Sequence, residues 1–336
     1  MFSAAVRILL FMLLLSTAVA ASAQDETETF FVLAGYANAG DSVEVMAFSP
    51  ATLQVHRGDR VRWLLNGVHN VHFHDAPTLF YQPIDTNGET SILFNPEVML
   101  PTIESGASYT GGQTNSGLPL GPGSEPWFEV VMDVEPGTYV YWCDVHPGMT
   151  GVIEVVDDSV EISSPADALS AGFTDIGIMI RAGIMLDDTL QQQAQAQQTE
   201  PTEGGAQIAV GAAEGQTVTS NLYPAVVVIR PGESVTWTMV DSPIAPPVGI
   251  RSEPGPTQGD LYFFEMPADG GMPRSGLTTL FVNGSLPSGS EVGAGDSWFT
   301  GWLKAGESFT LTFTEPGVYR FSDSSFLSEG AVVVMP

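Results

Sequence analysis

Lysine is almost missing from this chain. Lys304 is the only one, and Lys and Arg together number 10 against 39 Asp and Glu, a formal net charge of −29. Such a surface repels phosphate backbones, which argues against a nucleic-acid partner. A basic protein partner or a saline medium would suit it, and solubility alone explains it equally well. Cysteine is just as scarce. Cys143 stands alone, so no internal disulfide can form, and a free thiol outside the cytoplasm is open to oxidation or to pairing between chains. Histidine is confined to the first half, with none of the 5 beyond His146. Long apolar runs are missing after the N-terminus, and no later segment reads as long and apolar enough to cross a bilayer.

The N-terminus itself carries Arg7, an apolar run from Ile8 to about Ala20, and the small residues Ala21-Ser22-Ala23 before a polar stretch. That is the pattern of a secretory signal peptide over residues 1–23, cleaved near Ala23. The expectation is a secreted or periplasmic protein whose mature chain has no integral membrane segment. No cysteine lies at the cleavage site, which excludes a lipid anchor there. What remains is long enough for two domains and a linker.

The sequence has 36 Gly and 24 Pro, many of them punctuating short Val-, Thr- and Phe-rich runs, an all-β pattern with frequent turns. The pattern occurs twice. His56-Arg57-Gly58-Asp59-Arg60-Val61-Arg62-Trp63 is similar to Ile229 through Trp237, and Glu135-Pro136-Gly137-Thr138-Tyr139 to Glu315-Pro316-Gly317-Val318-Tyr319. Runs such as Ser308–Phe313 alternate with the period of two that buries one strand face. Each copy therefore reads as a small antiparallel β-sandwich. Between them, Ser164 as cap, Pro165 at the first helical position and Asp167 three residues after the cap predict a helix over roughly 165–186. Gly172, Gly177 and Gly183 weaken it, the Gln/Ala stretch 191–199 extends it, and Thr202 to Gly205 reads as a flexible joint.

The chemistry concentrates around Cys143. Tyr141-Trp142-Cys143-Asp144-Val145-His146-Pro147-Gly148-Met149 sets a thiol, an imidazole and a thioether at matched spacing, and His69-Asn70-Val71 supplies a second imidazole upstream. Two histidines, a thiolate and a methionine make a donor set that selects copper for electron transfer. Coordination would also protect the lone thiol. Pro147 and Gly148 shape the turn, one fixing φ and the other freeing it.

With these motifs, residues 28–157 resemble the cupredoxins, and within them the bacterial plastocyanin/amicyanin type. The resemblance implies Cys143, His69 and His146 as equatorial ligands of one copper ion cycling between Cu(I) and Cu(II), with Met149 axial. It implies that the backbone N–H of Asn70 points at the sulfur, that His146 is the electron port, and that Trp142 stands on a second route where tyrosine is more familiar. The expected partners are redox proteins of the cytochrome or copper oxidase type, and the expected role is electron carriage without substrate turnover. Copper storage or delivery and a non-redox interaction module are the alternatives.

The full expectation is all-β: two cupredoxin-like antiparallel Greek-key β-sandwiches joined by a partly helical linker over 158–204. The second, 205–336, is degenerate. Counting from shared landmarks puts Pro243 where the first copy has His69, Asp323 at Cys143, Phe326 at His146 and Glu329 at Met149. His72 and His74 share one strand face and are expected in solvent. They are too few for a multicopper oxidase.

Overall fold

The computed structural model describes residues 27–37, 42–86, 88–120, 124–195, 204–245, 247–266, 274–325 and 328–336. The signal segment, Thr202, Glu203 and Phe326 lie outside the described residues. The architecture is mostly β, with four sheets and one long helix.

Alternation builds the strands. In Arg60–Leu65, Val61, Trp63 and Leu65 are buried while Arg60 and Arg62 turn outward, and both arginines pair with Glu129 on the neighbouring strand at 2.9 and 2.7 Å. Strands Val43–Ser49, Thr29–Ala37, Arg60–Leu65, Trp127–Met132 and Ser108–Tyr109 lie side by side. Facing them are Thr52–His56, Thr150–Val156, Gly137–Trp142, His72–Phe73 and Thr114–Asn115. Phe30, Phe48, Trp63, Tyr141 and Ile153 fill the space between.

The sheets are not purely antiparallel as expected. Thr29–Ala37 runs parallel to Arg60–Leu65, and Thr52–His56 parallel to Thr150–Val156. The cause is topological. The chain leaves the first sheet, adds a strand to the second, and returns on the far side of the strand it started from.

The second half repeats this packing in detail. Ala206–Glu214 is parallel to Glu233–Met239, and Val226–Ile229 to Glu329–Val334. Trp63 meets Tyr141 edge-on at 5.2 Å, and Trp237 meets Phe321 edge-on at 5.4 Å. The hydroxyl of Tyr139 donates to the Glu135 carbonyl, and that of Tyr319 to the Glu315 carbonyl.

Whether the halves touch was open in the sequence. They share a sheet. Thr217–Tyr223 pairs antiparallel with Val43–Ser49, which fuses strands of both halves into one ten-stranded sheet. A second joint forms where Arg274–Leu277 pairs with Glu89–Phe94. Met46, Val218 and Ile244 are buried together across the first seam, each contributing on the order of 2 kcal/mol of burial.

The helix Pro165–Gln195 starts where the sequence predicts, with the Ser164 hydroxyl accepting from the Asp167 N–H. It lies on the first seam, packed on strands of both halves. Two of its three expected weak points prove to be contacts. A Cβ on Gly172 would sit 2.8 Å from the Ser49 carbonyl, and one on Gly183 would sit 2.5 Å from the side chains of Val43 and Thr217. Gly177 faces open space. One expectation needs correcting: the most apolar 18 residues of this helix reach a mean hydropathy of 1.4, long and apolar enough by composition to span a bilayer. The sequence reading missed this because its glycines and scattered acids interrupt the run. The face that carries Gly172 and Gly183 lies against the sheet.

Candidate metal centre

His69 follows the strand Arg60–Leu65, and Cys143 follows Gly137–Trp142 on the opposite sheet. The loop after Cys143 is tight. The N–H of Cys143 donates to the Met149 carbonyl at 3.0 Å and the N–H of Met149 to the His146 carbonyl at 3.0 Å, with Gly148 at φ +88 closing the turn.

This geometry brings three of the expected ligands together at one end of the first core. Cys143 Sγ lies 3.6 Å from His69 Nδ1 and 3.5 Å from His146 Nδ1, and the two Nδ1 atoms are 3.0 Å apart. All three side chains are buried, and Met149 is buried in the same core cluster as Cys143.

Burial sets the protonation. Desolvation lowers His69 to about 4, against a backbone hydrogen bond with Asn66 that acts the other way. It lowers His146 as well, with His69 adding to the effect. Both imidazoles are therefore neutral at pH 7 and carry lone pairs. Desolvation pushes the Cys143 thiol up to about 11, opposed by hydrogen bonds from the backbone of Asn70, Val145 and His146. A soft metal ion would stabilise the sulfur as a thiolate and accept both imidazoles, so the residues fit a copper ion.

Behind this cluster lies a buried polar network that the sequence reading did not find. The Asp144 carboxylate, fully enclosed, accepts from the Asn70 amide at 2.8 Å, from the Thr78 N–H at 2.7 Å and contacts His72 Nδ1 at 2.8 Å. The Asp144 N–H donates to the Asn70 side chain at 2.8 Å, and the Asn70 amide also reaches Asn115. The residues after His69 and Cys143 are thereby tied to one another. His72 is accordingly buried, not in solvent as expected: its strand lies between two others and Asp144 satisfies its ring. His74 is half-buried. Its carbonyl accepts from the Trp142 indole N–H at 2.9 Å.

Gly35 is the second missed residue. It sits at a bulge in Thr29–Ala37 with φ +75, and a Cβ there would lie 2.0 Å from His69 Nε2. The signal was present: a glycine inside an apolar strand marks a bulge or a close approach. Gly211 occupies the corresponding bulge of the second half.

The electron-port expectation for His146 is also modified. The residue is only 8% exposed. Ile244 from the second half lies beside the same loop, 3.6 Å from where a Cβ on Gly148 would be. Pro147 is exposed.

Register corrects the comparison of the two halves. Trp142 pairs with His72 and Thr150, and Ser322 pairs with Arg251 and Glu329. Counting from those partners, Val248 stands where His69 does, not Pro243, and Ser328 stands where Met149 does, not Glu329. The Asp323 N–H donating to the Ser328 carbonyl mirrors Cys143 and Met149. The longer segment after Trp237 and the shorter loop after Asp323 displaced the count. Asp323 remains opposite Cys143, and no metal-type donor cluster other than His69, Cys143 and His146 occurs among the described residues.

Residues 34–156 match a family of copper binding proteins, the plastocyanin/azurin family, so the first half contains a cupredoxin-like domain. Among solved structures, a purple cupredoxin from Nitrosopumilus maritimus is 22% identical, covering 39% of this chain and 99% of that one, with a TM-score of 0.21. An oxidised amicyanin variant is 16% identical over 40% of this chain and 87% of that one, with a TM-score of 0.23. A reduced Cu(I) amicyanin variant at pH 4 gives 15% identity with the same coverage and TM-score. No curated protein matches the chain.

Proposed function

We propose that this chain is an exported carrier of single electrons built around one copper ion, held by His69, Cys143, His146 and Met149. The observation that carries the reading is the convergence of a buried thiol and two buried, neutral imidazoles within 4.8 Å of one another. When bound, the ion supplies a Cu(I)/Cu(II) couple. The chain supplies rigidity: two β-sheets fix the ligand segments, Gly35 leaves room for the His69 ring, and Asn70 and Asp144 lock one segment to the other. No residue in this reading turns over a substrate. Residues 1–23 would direct export, and the partner would be a redox protein of the cytochrome or copper oxidase type.

Within this reading, residues 28–157 form the copper domain and 205–336 a degenerate copy that kept the sandwich and lost the ligands, with 158–204 as the partly helical linker. The shared tryptophan and tyrosine contacts of the two halves support that division. The copper-handling alternative drew on His72 and His74, and the burial of His72 on a strand between two others leaves it little access to an exchangeable ion.

The test is copper loading of purified protein. Charge transfer from thiolate to Cu(II) is expected to give an intense visible band, and Cys143→Ser is expected to abolish the band while leaving the fold. A protein that stays colourless with Cu(II) and an oxidant would overturn the reading.

A further inference from the structure

The place in the second half that corresponds to the metal centre is not filled by packing. A cavity of about 240 Å³ lies there, bounded by Val248 and Asp323, the counterparts of His69 and Cys143. Both halves contribute to it. Glu44 comes from the seam strand Val43–Ser49 and Tyr81 from an excursion of the first half, while Tyr262 comes from the second.

The lining has one electrostatic sign. It holds two carboxylates and two phenol rings, and no Lys or Arg. Asp323 is already engaged, accepting from the Ser325 hydroxyl and the Ser328 N–H. Glu44 has no hydrogen-bond or ion-pair partner among the described residues, and burial alone raises its pKa. Burial and the charge of Asp323 likewise raise Tyr262. The remaining wall is apolar, including Val210, Val240 and Ala245. An unpaired carboxylate beside aromatic faces attracts a cation, and an apolar wall accepts an alkyl chain. A bare metal ion suits the cavity poorly, because no three ligand atoms gather here as they do at Cys143.

We propose that this interdomain cavity binds a small alkylammonium ion, its charge facing Glu44 beside the rings of Tyr81 and Tyr262, and its chain against the apolar wall. The occupant touches both halves and so couples their stabilities. The site is independent of the copper reading, since none of these residues belongs to the metal centre.

The experiment titrates the full chain with n-butylammonium chloride at constant ionic strength, by calorimetry and by thermal unfolding. Saturable one-to-one binding with a rising unfolding midpoint is expected. Glu44→Gln should weaken binding at least tenfold while keeping the circular dichroism and copper band of the parent, and Cys143→Ser should bind as the parent does. Tyr262→Leu provides a second variant should Glu44→Gln fail to fold. The proposal is overturned if butylammonium acts only as sodium chloride does, if n-butanol binds as tightly, if Mg²⁺ binds in its place, or if Glu44→Gln, or Tyr262→Leu in its stead, retains parental affinity.

Discussion

Gly35→Ala isolates the fit between the strand bulge and the metal centre. The new Cβ would start 2.0 Å from His69 Nε2, where ordinary van der Waals contact is about 3.5 Å. The ring must therefore retreat by about 1.5 Å, well beyond the roughly 0.5 Å tolerance of a preorganised site. Misplacing a ligand in this way is expected to cost about 10–100-fold in copper affinity. Alanine at φ +75 adds about 1–2 kcal/mol of backbone strain to the apo-protein. Gly58→Ala separates the two effects. Gly58 has φ +96 but nothing within 4 Å of its Cβ position, so it bears the strain without the collision. Chelator competition would read the affinity and thermal unfolding of the apo-proteins the strain. Both variants should unfold earlier, and only Gly35→Ala should lose copper. Parental affinity in Gly35→Ala, or an equal loss in Gly58→Ala, would refute the argument.

Asp144→Ala strands three partners, the buried Asn70 amide and His72 and the part-buried Thr78 N–H. It is expected to lower stability in denaturant titration by on the order of 3 kcal/mol. On the linking helix, Gly177→Ala should raise stability by about 0.5–1 kcal/mol, whereas Gly183→Ala should lower it by driving a methyl into Val43 and Thr217. Chemical unfolding distinguishes these opposite signs. The apo-protein should also lose stability on acidification. His69 titrates lower in the fold, about 4, than in the unfolded chain, about 6.5. The unfolded state therefore binds more protons in this window, and roughly 3 kcal/mol is lost as pH falls from 6.5 towards 4. A flat apo stability profile across that window would contradict the buried, neutral assignment.

The clustering of His69, Cys143 and His146 was legible because the spacing is local: the Cys143 loop reads as one turn, and only His69 had to be brought from afar. The repeat and the helix start at Ser164 were legible for the same reason. What escaped depends on contacts between distant segments. The burial of His72 required knowing that its strand lies between two others, and Asp144 gave no sign in the sequence that it would hold Asn70. The shared sheet was invisible because Thr217–Tyr223 reads as an ordinary edge strand until Val43–Ser49 is placed beside it. The equivalents of His69 and Met149 in the second half were misplaced because counting residues ignores loops of unequal length, and only strand register resolves them. Gly172 and Gly183, read as helix weaknesses, are where the helix comes closest to the sheet.

The central claim is a single copper ion on Cys143, and a metal count with an optical spectrum on one sample tests it most directly. One tightly held copper per chain and an intense visible band, both absent in Cys143→Ser, are the predicted result. Copper bound in greater number, or bound without the band, would contradict it.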